Sequence, residues 1–171
     1  ATASGFGGLP APDPATATER LATVLGAVAA TGAEPAVHCC AAAPPVGLLV
    51  DAGARGISLD ATLLTWRDDD PLGEAVEAGI QLLLGMVPSV DPAVPPSTRR
   101  LVAPVQQLWQ RLGFAGGRLT EAVVVTPTCG LAGASPAWAR QALSTLRACA
   151  EALVEDPDAS LPEERRPRVL R

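Results

Sequence analysis

Apolar residues recur along the chain at two spacings, one typical of amphipathic helices and the other of buried strands. Segments with apolar residues three or four apart, or with helix-capping residues at their ends, predict five helices. These helices are expected over residues 18–30, 44–52, 70–79, 97–112 and 135–154. Four short apolar segments predict strands over residues 35–40, 56–60, 80–87 and 121–126. Apart from Gln81, the third of these strands is apolar, as expected for a strand buried on both faces.

A first helix followed by four strands that alternate with helices is typical of a parallel sheet, because parallel strands are normally connected through a helix. The predicted fold class is therefore α/β. Two architectures fit this order: an open parallel sheet, or part of a (β/α)8 barrel of the TIM type. A complete barrel needs about 250 residues. The 171 residues of this chain would supply roughly half of one.

Composition divides the chain into one folded unit and two flanking segments. Residues 1–17 are rich in glycine, proline and alanine and are expected to form a loop or linker. Residues 18–155 hold the four βα units, and residues 156–171 form a charged tail interrupted by proline. With 48% hydrophobic and 18% charged residues, the chain is able to bury a core and is unlike a disordered acidic segment.

The composition also narrows the function classes. A net charge of -5 and only 3% aromatic residues disfavour nucleic-acid binding. The basic residues are all arginine, so no lysine is available as a nucleophile or for a Schiff base. Glycine and proline interrupt each apolar stretch before the ~18 residues that a membrane helix requires. No signal-peptide pattern is present and the four cysteines are too sparse for a disulfide scaffold, so a cytoplasmic protein with free thiols is expected.

Side chains that bind metals follow the predicted strands. His38 and Cys40 end the first strand, Asp60 ends the second, and Cys129 follows the fourth. Residues two apart on a strand share a face, so His38 and Cys40 point the same way while Cys39 points away. Imidazole nitrogen, thiolate sulfur and carboxylate oxygen are ligands that zinc prefers, and the carboxyl ends of parallel strands meet at one edge of a sheet. These four residues predict a zinc site.

The alternative is that a single histidine and scattered cysteines are ordinary core residues. Zinc is favoured because the only histidine of the chain, His38, stands two residues from a cysteine at a strand end. The core interpretation is kept for Cys39, which faces the helix layer, and for Cys149, in the middle of a helix. A zinc site assembled from distant strands is more often catalytic than one built from a close cysteine pair.

Three of these segments, taken in order, resemble the C-terminal barrel of cobalamin-independent methionine synthase. They are His38-Cys39-Cys40, Gly56-Ile57-Ser58-Leu59-Asp60 and Pro127-Thr128-Cys129-Gly130-Leu131. The resemblance covers about residues 18–154 and implies the last four βα units, the C-terminal half, of that family's TIM-type barrel. The family usually has glutamate in place of Asp60, and its Asp-x-His-Ser-Pro run is replaced here by residues 86–91. Within this replacement, Ser89 and Asp91 are candidate substrate-binding residues.

The resemblance implies a zinc-dependent methyltransferase that moves a methyl group from a methyl-folate to the thiol of homocysteine. It implies that His38, Cys40 and Cys129 hold the zinc, with Asp60 as a catalytic ligand that exchanges with the substrate thiolate. Three alternatives stay open: another zinc-dependent thiol alkyltransferase with a corrinoid donor, a non-catalytic remnant of such a barrel, and a metal-free decarboxylase of the uroporphyrinogen type. The two aligned cysteines disfavour the decarboxylase.

The predicted half-barrel also has consequences for partners. Four parallel strands outside a closed barrel have two unpaired edges, and exposed edges attract partners. We therefore expect the chain to self-associate or to pair with the missing half of the barrel. Its other expected partners are a small-molecule thiol and a methyl donor, and neither nucleic acid nor a membrane is expected.

Overall fold

Helices and strands alternate along the part of the chain that the computed structural model describes, residues 12–157. The helices are α1 (Pro14–Ala29), α2 (Val46–Asp51), α3 (Asp69–Glu77), α4 (Thr98–Leu112), α5 (Gly116–Ala122) and α6 (Pro136–Glu155). The strands are β1 (Ala36–Cys39), β2 (Gly56–Asp60), β3 (Gln81–Val87) and β4 (Val123–Pro127). Single turns of 3-10 helix follow β2 and β4, at Ala61–Leu63, Trp66–Asp68 and Leu131–Gly133. Within residues 12–157, no helix is long and apolar enough to cross a membrane.

The four strands form one parallel sheet in the order β1-β2-β3-β4. The predicted α/β class, with parallel strands that alternate with helices, is confirmed. Helices that follow one another along the chain also pack side by side, in the order α1, α2, α3, α4 and α6. Strands β1 and β4 form the two edges of the sheet in the described part of the chain.

The hydrophobic core lies against one face of this sheet. The strand register places Ile57 beside Leu82 in one row and Leu59 beside Leu84 in another row of the same face. Each of these four side chains has at most 1% of its surface exposed. They form a continuous core with inward-facing residues of α3, α4 and α6. Burial of apolar surface between one sheet face and one helix layer is therefore what stabilises the fold.

Within residues 12–157, no helix covers the opposite face of the sheet, which we call the open face. The register aligns His38, Ser58, Leu83 and Val124 in one row across this face. His38 and Val124 are exposed, and Ser58 and Leu83 are half-buried. A doubly wound sheet is covered by helices on both faces, whereas the strands of a barrel carry their helices on the outer face alone. The described helices cover one face of this sheet.

Helix α1 begins four residues earlier than the sequence predicts, inside the segment expected to be a linker. It starts at Pro14 because the Asp13 carboxylate caps it, accepting hydrogen bonds from the Thr16 backbone nitrogen at 3.0 Å and from its hydroxyl at 2.6 Å. An aspartate cap followed by proline is a favoured helix start. The remainder of the expected linker, residues 1–11, and most of the expected charged tail, residues 158–171, lie outside the described residues.

Two further helix boundaries differ from the prediction. Helix α3 starts at Asp69 and not after an N-cap at Asp70. The short helix α5 stands between α4 and β4, where the sequence predicts none. It forms because Gly113 ends α4 with a left-handed φ of 72°, and the Trp109 indole nitrogen then donates to the Ala115 carbonyl oxygen at 3.1 Å. This buried tryptophan holds the start of α5 against the end of α4.

Candidate metal centre

Three side chains of types that commonly bind metals meet at one end of the sheet, where its strands have their carboxyl ends. His38, Cys40 and Cys129 each contribute one donor atom, and these three atoms all lie within 4.8 Å of one another. The Sγ atoms of Cys40 and Cys129 are 3.8 Å apart. All three residues are exposed, so an ion from solvent has access to them. The structure thus brings together three of the four residues that the sequence predicts as zinc ligands.

The imidazole of His38 is oriented by a neighbouring strand. His38 on β1 stands opposite Ser58 on β2 in the parallel register, and both side chains lie on the open face. The Nδ1 atom of His38 is 2.9 Å from the Ser58 hydroxyl oxygen. A hydrogen bond at one ring nitrogen sets the tautomer and orientation of a ligand histidine. It leaves Nε2 as the atom available to a metal.

Cys40 follows β1 and Cys129 follows β4, so the two cysteines come after the two outermost strands of the sheet. In a flat sheet the first and fourth strands stand about 14 Å apart, at about 4.8 Å per strand. The two sulfur atoms are nevertheless in contact at 3.8 Å. The segment that follows β4 therefore turns back across the ends of the inner strands. Its Thr128 backbone nitrogen donates to the Val87 carbonyl oxygen at 2.9 Å, which ties this segment to the end of β3.

Gly85 on β3 provides the space for this turn. A Cβ atom added at Gly85 would lie 2.6 Å from the Thr128 Cα, 2.8 Å from the Pro127 carbonyl oxygen and 3.0 Å from the Leu59 carbonyl oxygen. All three neighbours are backbone atoms, which cannot rotate aside as a side chain can. Glycine inside a strand often marks such a close approach of another backbone segment. The position of Cys129 thus depends on the absence of a side chain at Gly85.

Asp60, the predicted fourth ligand, lies outside the group of three donor atoms. It ends β2, and its Oδ1 atom accepts hydrogen bonds from the Thr62 backbone nitrogen at 2.9 Å and hydroxyl at 2.6 Å. These bonds cap the 3-10 turn Ala61–Leu63. Within the described residues, Oδ2 makes no hydrogen bond and is the oxygen that remains for another partner. The role of Asp60 as a catalytic zinc ligand stays a prediction.

Asp91, predicted to bind substrate, makes a structural contact instead in this conformation. Its carboxylate accepts hydrogen bonds from the Ser135 backbone nitrogen at 2.7 Å and hydroxyl at 2.5 Å. These two bonds lower the pKa of Asp91. Ser135 in turn caps α6 by accepting from the Trp138 backbone nitrogen at 3.1 Å. Ser89 lies half-buried in the same loop, and substrate binding by Ser89 and Asp91 stays a prediction.

The remaining cysteines have the packing roles that the sequence predicts. Cys149 on α6 is completely buried, and burial raises the pKa of its thiol to about 11. Cys39 is partly buried and packs against the core. At the candidate metal centre, by contrast, the pKa of the Cys40 thiol is raised mainly by its contact with Cys129. A divalent cation beside two neighbouring thiols favours their thiolate forms.

Two residues of the centre were not predicted as site residues. Ser58 lies in the middle of β2, between the apolar residues Ile57 and Leu59. Only the register of β1 against β2 shows that Ser58 meets His38. Gly85 interrupts the run of large apolar side chains over residues 82–87 of β3, which is a recognisable signal for a close backbone approach. Comparisons of the chain with protein-family models, curated proteins and solved structures find no match.

Proposed function

We propose that this protein is a zinc-dependent methyltransferase that moves a methyl group from a methyl-folate to the thiol of homocysteine. The observation that supports this most is the convergence of His38, Cys40 and Cys129, which are far apart in the chain, on one edge of a parallel sheet. Ligands and catalytic groups of parallel α/β folds lie at this edge. The likeness of the three segments to cobalamin-independent methionine synthase supplies the reaction.

The donor set fits zinc on chemical grounds. Two thiols and one imidazole are soft and intermediate donors, which zinc binds in preference to magnesium or calcium. Catalytic zinc sites have three protein ligands and leave a position for water or substrate. His38, Cys40 and Cys129 supply such a set, and Asp60 at the end of β2 is proposed as the exchangeable fourth ligand. The Ser58 hydroxyl would hold the imidazole in its ligating orientation.

The residues of the chain have distinct proposed roles in methyl transfer. Bound zinc would lower the pKa of the homocysteine thiol, which makes a thiolate available near neutral pH. His38, Cys40 and Cys129 would fix where the sulfur stands, and Asp60 would yield its position to the incoming thiol. The thiolate sulfur would then bond to the methyl carbon while the bond between that carbon and the folate nitrogen breaks. The proton released by the homocysteine thiol would be taken up by the folate nitrogen, which balances the reaction.

We further propose that the four βα units are the C-terminal half of a (β/α)8 barrel. The parallel order of consecutive strands and the helices on a single face support this proposal. A two-fold axis along the strands would place β4 of one copy beside β1 of another, so a second copy of this chain is able to complete eight strands. Light scattering tests the association. A monomer that stays soluble at high concentration would count against self-association.

The open face of the sheet favours a second candidate function, that of a zinc-binding domain without catalytic activity. Because His38, Cys40 and Cys129 are exposed, substrates bound there would not be enclosed by the described residues. Methyl transfer normally needs a site that excludes water. The chain alone is therefore a candidate zinc-binding domain without activity until the remaining barrel strands are supplied.

Metal analysis of the purified protein tests the proposal. Wild-type protein is expected to hold one zinc per chain, and His38→Ala, Cys40→Ser and Cys129→Ser are each expected to weaken zinc binding by about tenfold or more. Cys39→Ala is the matched control, since it removes the neighbouring thiol that points away. An assay of methionine formation from homocysteine and methyltetrahydrofolate then separates the two candidate functions. Activity would favour the methyltransferase, and zinc binding without activity would favour the zinc-binding domain. If the purified wild-type protein held no zinc, and if the three substitutions left its zinc binding unchanged, both candidate functions would lose their basis.

A further inference from the structure

The hydroxyl group of Thr126 is buried without a hydrogen-bond partner. Its Oγ1 atom exposes less than 1 Å² to solvent and, among residues 12–157, it is the one such side-chain nitrogen or oxygen that makes no hydrogen bond. A hydroxyl in this situation destabilises a fold, because it gives up its bonds to water and gains none. Valine has nearly the same shape as threonine and already occupies the three preceding positions of β4. Packing alone would be served by valine at position 126, so packing does not explain the hydroxyl.

Thr126 lies on the same face of the sheet as the candidate metal centre. It stands opposite Gly85 in the register of β3 and β4, and Gly85 stands opposite Asp60 in the register of β2 and β3. Residues paired in this way share a face of the sheet. The two chain neighbours of Gly85, Leu84 and Met86, are buried on the core face. Thr126 therefore belongs to the open face, in a row near the carboxyl ends of the strands.

The segment that carries Cys129 crosses the open face directly beside Thr126. A Cβ atom at Gly85, the register partner of Thr126, would lie 2.6 Å from the Thr128 Cα and 2.8 Å from the Pro127 carbonyl oxygen. No described helix covers this face, so the crossing segment is the cover nearest to the hydroxyl. Cys129 is the third residue after Thr126, and three residues span at most about 11 Å even when extended. Because the segment turns back, the hydroxyl lies closer than that to a predicted metal ligand.

We propose that Thr126 is a positioning residue of the metal centre, whose hydroxyl donates a hydrogen bond to the thiolate of Cys129 when zinc is bound. The proposal rests on the proposed function, since it requires zinc at His38, Cys40 and Cys129. A thiol is a weak hydrogen-bond acceptor, whereas a cysteine bound to zinc is a thiolate and accepts strongly. Hydrogen-bond donors around a metal ligand fix its orientation and tune its charge. The hydroxyl would gain its partner when the centre binds zinc, so its cost to the fold is offset at that step.

Zinc affinity and the stability of the chelator-treated protein, measured on the same variants of the full chain, test this proposal. Thr126→Val removes the hydroxyl with little change of shape and is expected to weaken zinc binding about tenfold. It is also expected to raise the melting temperature of the chelator-treated protein by about 2–4 °C, because the unpaired buried group is gone. Thr126→Ser keeps the hydroxyl and should bind zinc nearly as wild type does. Thr23→Val is the matched control, since that exposed hydroxyl bonds to the Glu19 carbonyl oxygen within α1, and it should leave zinc affinity unchanged.

Substitution of cobalt(II) for zinc reports on the sulfur atoms of the centre. Cobalt absorbs light through charge transfer from its thiolate ligands, and a hydrogen bond to the sulfur lowers the energy of the electrons that are transferred. Loss of the Thr126 hydroxyl should therefore move this absorption band to longer wavelength in Thr126→Val. The band should return to its wild-type position in Thr126→Ser.

Three results would overturn the inference while the metal centre stands. The first is a zinc affinity of Thr126→Val equal to that of wild type. The second is a weaker zinc affinity with an unmoved cobalt band, which would assign the hydroxyl to a partner other than the thiolate. The third is a lower melting temperature of chelator-treated Thr126→Val, which would show that the hydroxyl has a structural partner. Failure of the proposed function gives a different result, because wild type would then bind neither zinc nor cobalt.

Discussion

The Cα atom of Thr128 lies 2.6 Å from the position that a Cβ atom would occupy at Gly85. This contact joins the middle of the sheet to the residue immediately before Cys129. Because the neighbour is backbone, a side chain at Gly85 would displace the whole segment after β4. The geometry of the metal centre therefore depends on a residue that offers no donor atom.

Replacement of Gly85 by alanine should disrupt the metal centre. The added methyl group forces Thr128 and Pro127 away, and overpacking of this kind costs about 1–3 kcal/mol of stability. We expect Gly85→Ala to lower zinc affinity by more than about tenfold, since Cys129 moves with the displaced backbone. Titration with a chromophoric zinc chelator and a denaturation curve measure the two effects.

Gly47→Ala is the control for that substitution. Gly47 lies in α2 with open space around its Cβ position, and alanine favours a helix by up to about 1 kcal/mol over glycine. Zinc affinity of this variant should equal that of wild type. Wild-type zinc affinity in Gly85→Ala would show that the segment carrying Cys129 reaches Cys40 by another path.

Removal of the Ser58 hydroxyl should weaken metal binding without removing a ligand. Ser58→Ala leaves His38 Nδ1 without its partner at 2.9 Å, so the imidazole is free to rotate. Loss of such an orienting hydrogen bond typically costs about 10–100-fold in metal affinity. Ser58→Thr keeps a hydroxyl and should recover most of the loss. Equal zinc affinity in wild type and Ser58→Ala would show that this hydrogen bond does not orient His38 for metal binding.

Oxidation should join Cys40 to Cys129 when metal is absent. Their sulfur atoms are 3.8 Å apart, so closing to a disulfide bond of about 2.05 Å needs only a small movement. Diamide would take up the two electrons and two protons that the thiols lose. Peptide mapping by mass spectrometry should find this pair linked, with buried Cys149 still reduced. Zinc added beforehand should protect both thiols, and a lack of protection would argue that they do not bind the ion.

Alkaline pH should destabilise the fold through Cys149. Burial raises the pKa of this thiol from 9.0 to about 11, so the unfolded state loses its proton first. The resulting stability is fully present below pH 9.0 and is lost as the pH rises through about 11. The whole effect is about 3 kcal/mol, from two pKa units. Because the chain has no tyrosine and no lysine, few other groups titrate in this window.

Urea denaturation at pH 8 and at pH 11 measures this dependence. Wild type should lose more stability between the two pH values than Cys149→Ala, which carries no thiol at that position. At pH 8 the alanine variant should be the less stable of the two proteins, because the substitution leaves a small cavity. An identical pH dependence in the two proteins would contradict the assignment.

Local sequence patterns determined most of the secondary structure. The strand predicted over residues 56–60 agrees with β2, and the other three strands shift by one or two residues at their ends. Helix α5 is not predicted, because a seven-residue helix that starts with two glycines gives no clear apolar period. The early start of α1 was signalled by Asp13 and Pro14 but was hidden within a segment rich in proline and glycine.

The donor set of the candidate centre was available from the sequence alone, because strand alternation and the common edge of parallel strands place His38, Cys40 and Cys129 on one side of the molecule. Their actual proximity was decided by the tertiary structure. It depends on the path of the segment after β4 across Gly85 and on the pairing of β1 with β2, which brings Ser58 to His38. Those contacts join residues distant in the chain, so no local pattern specifies them.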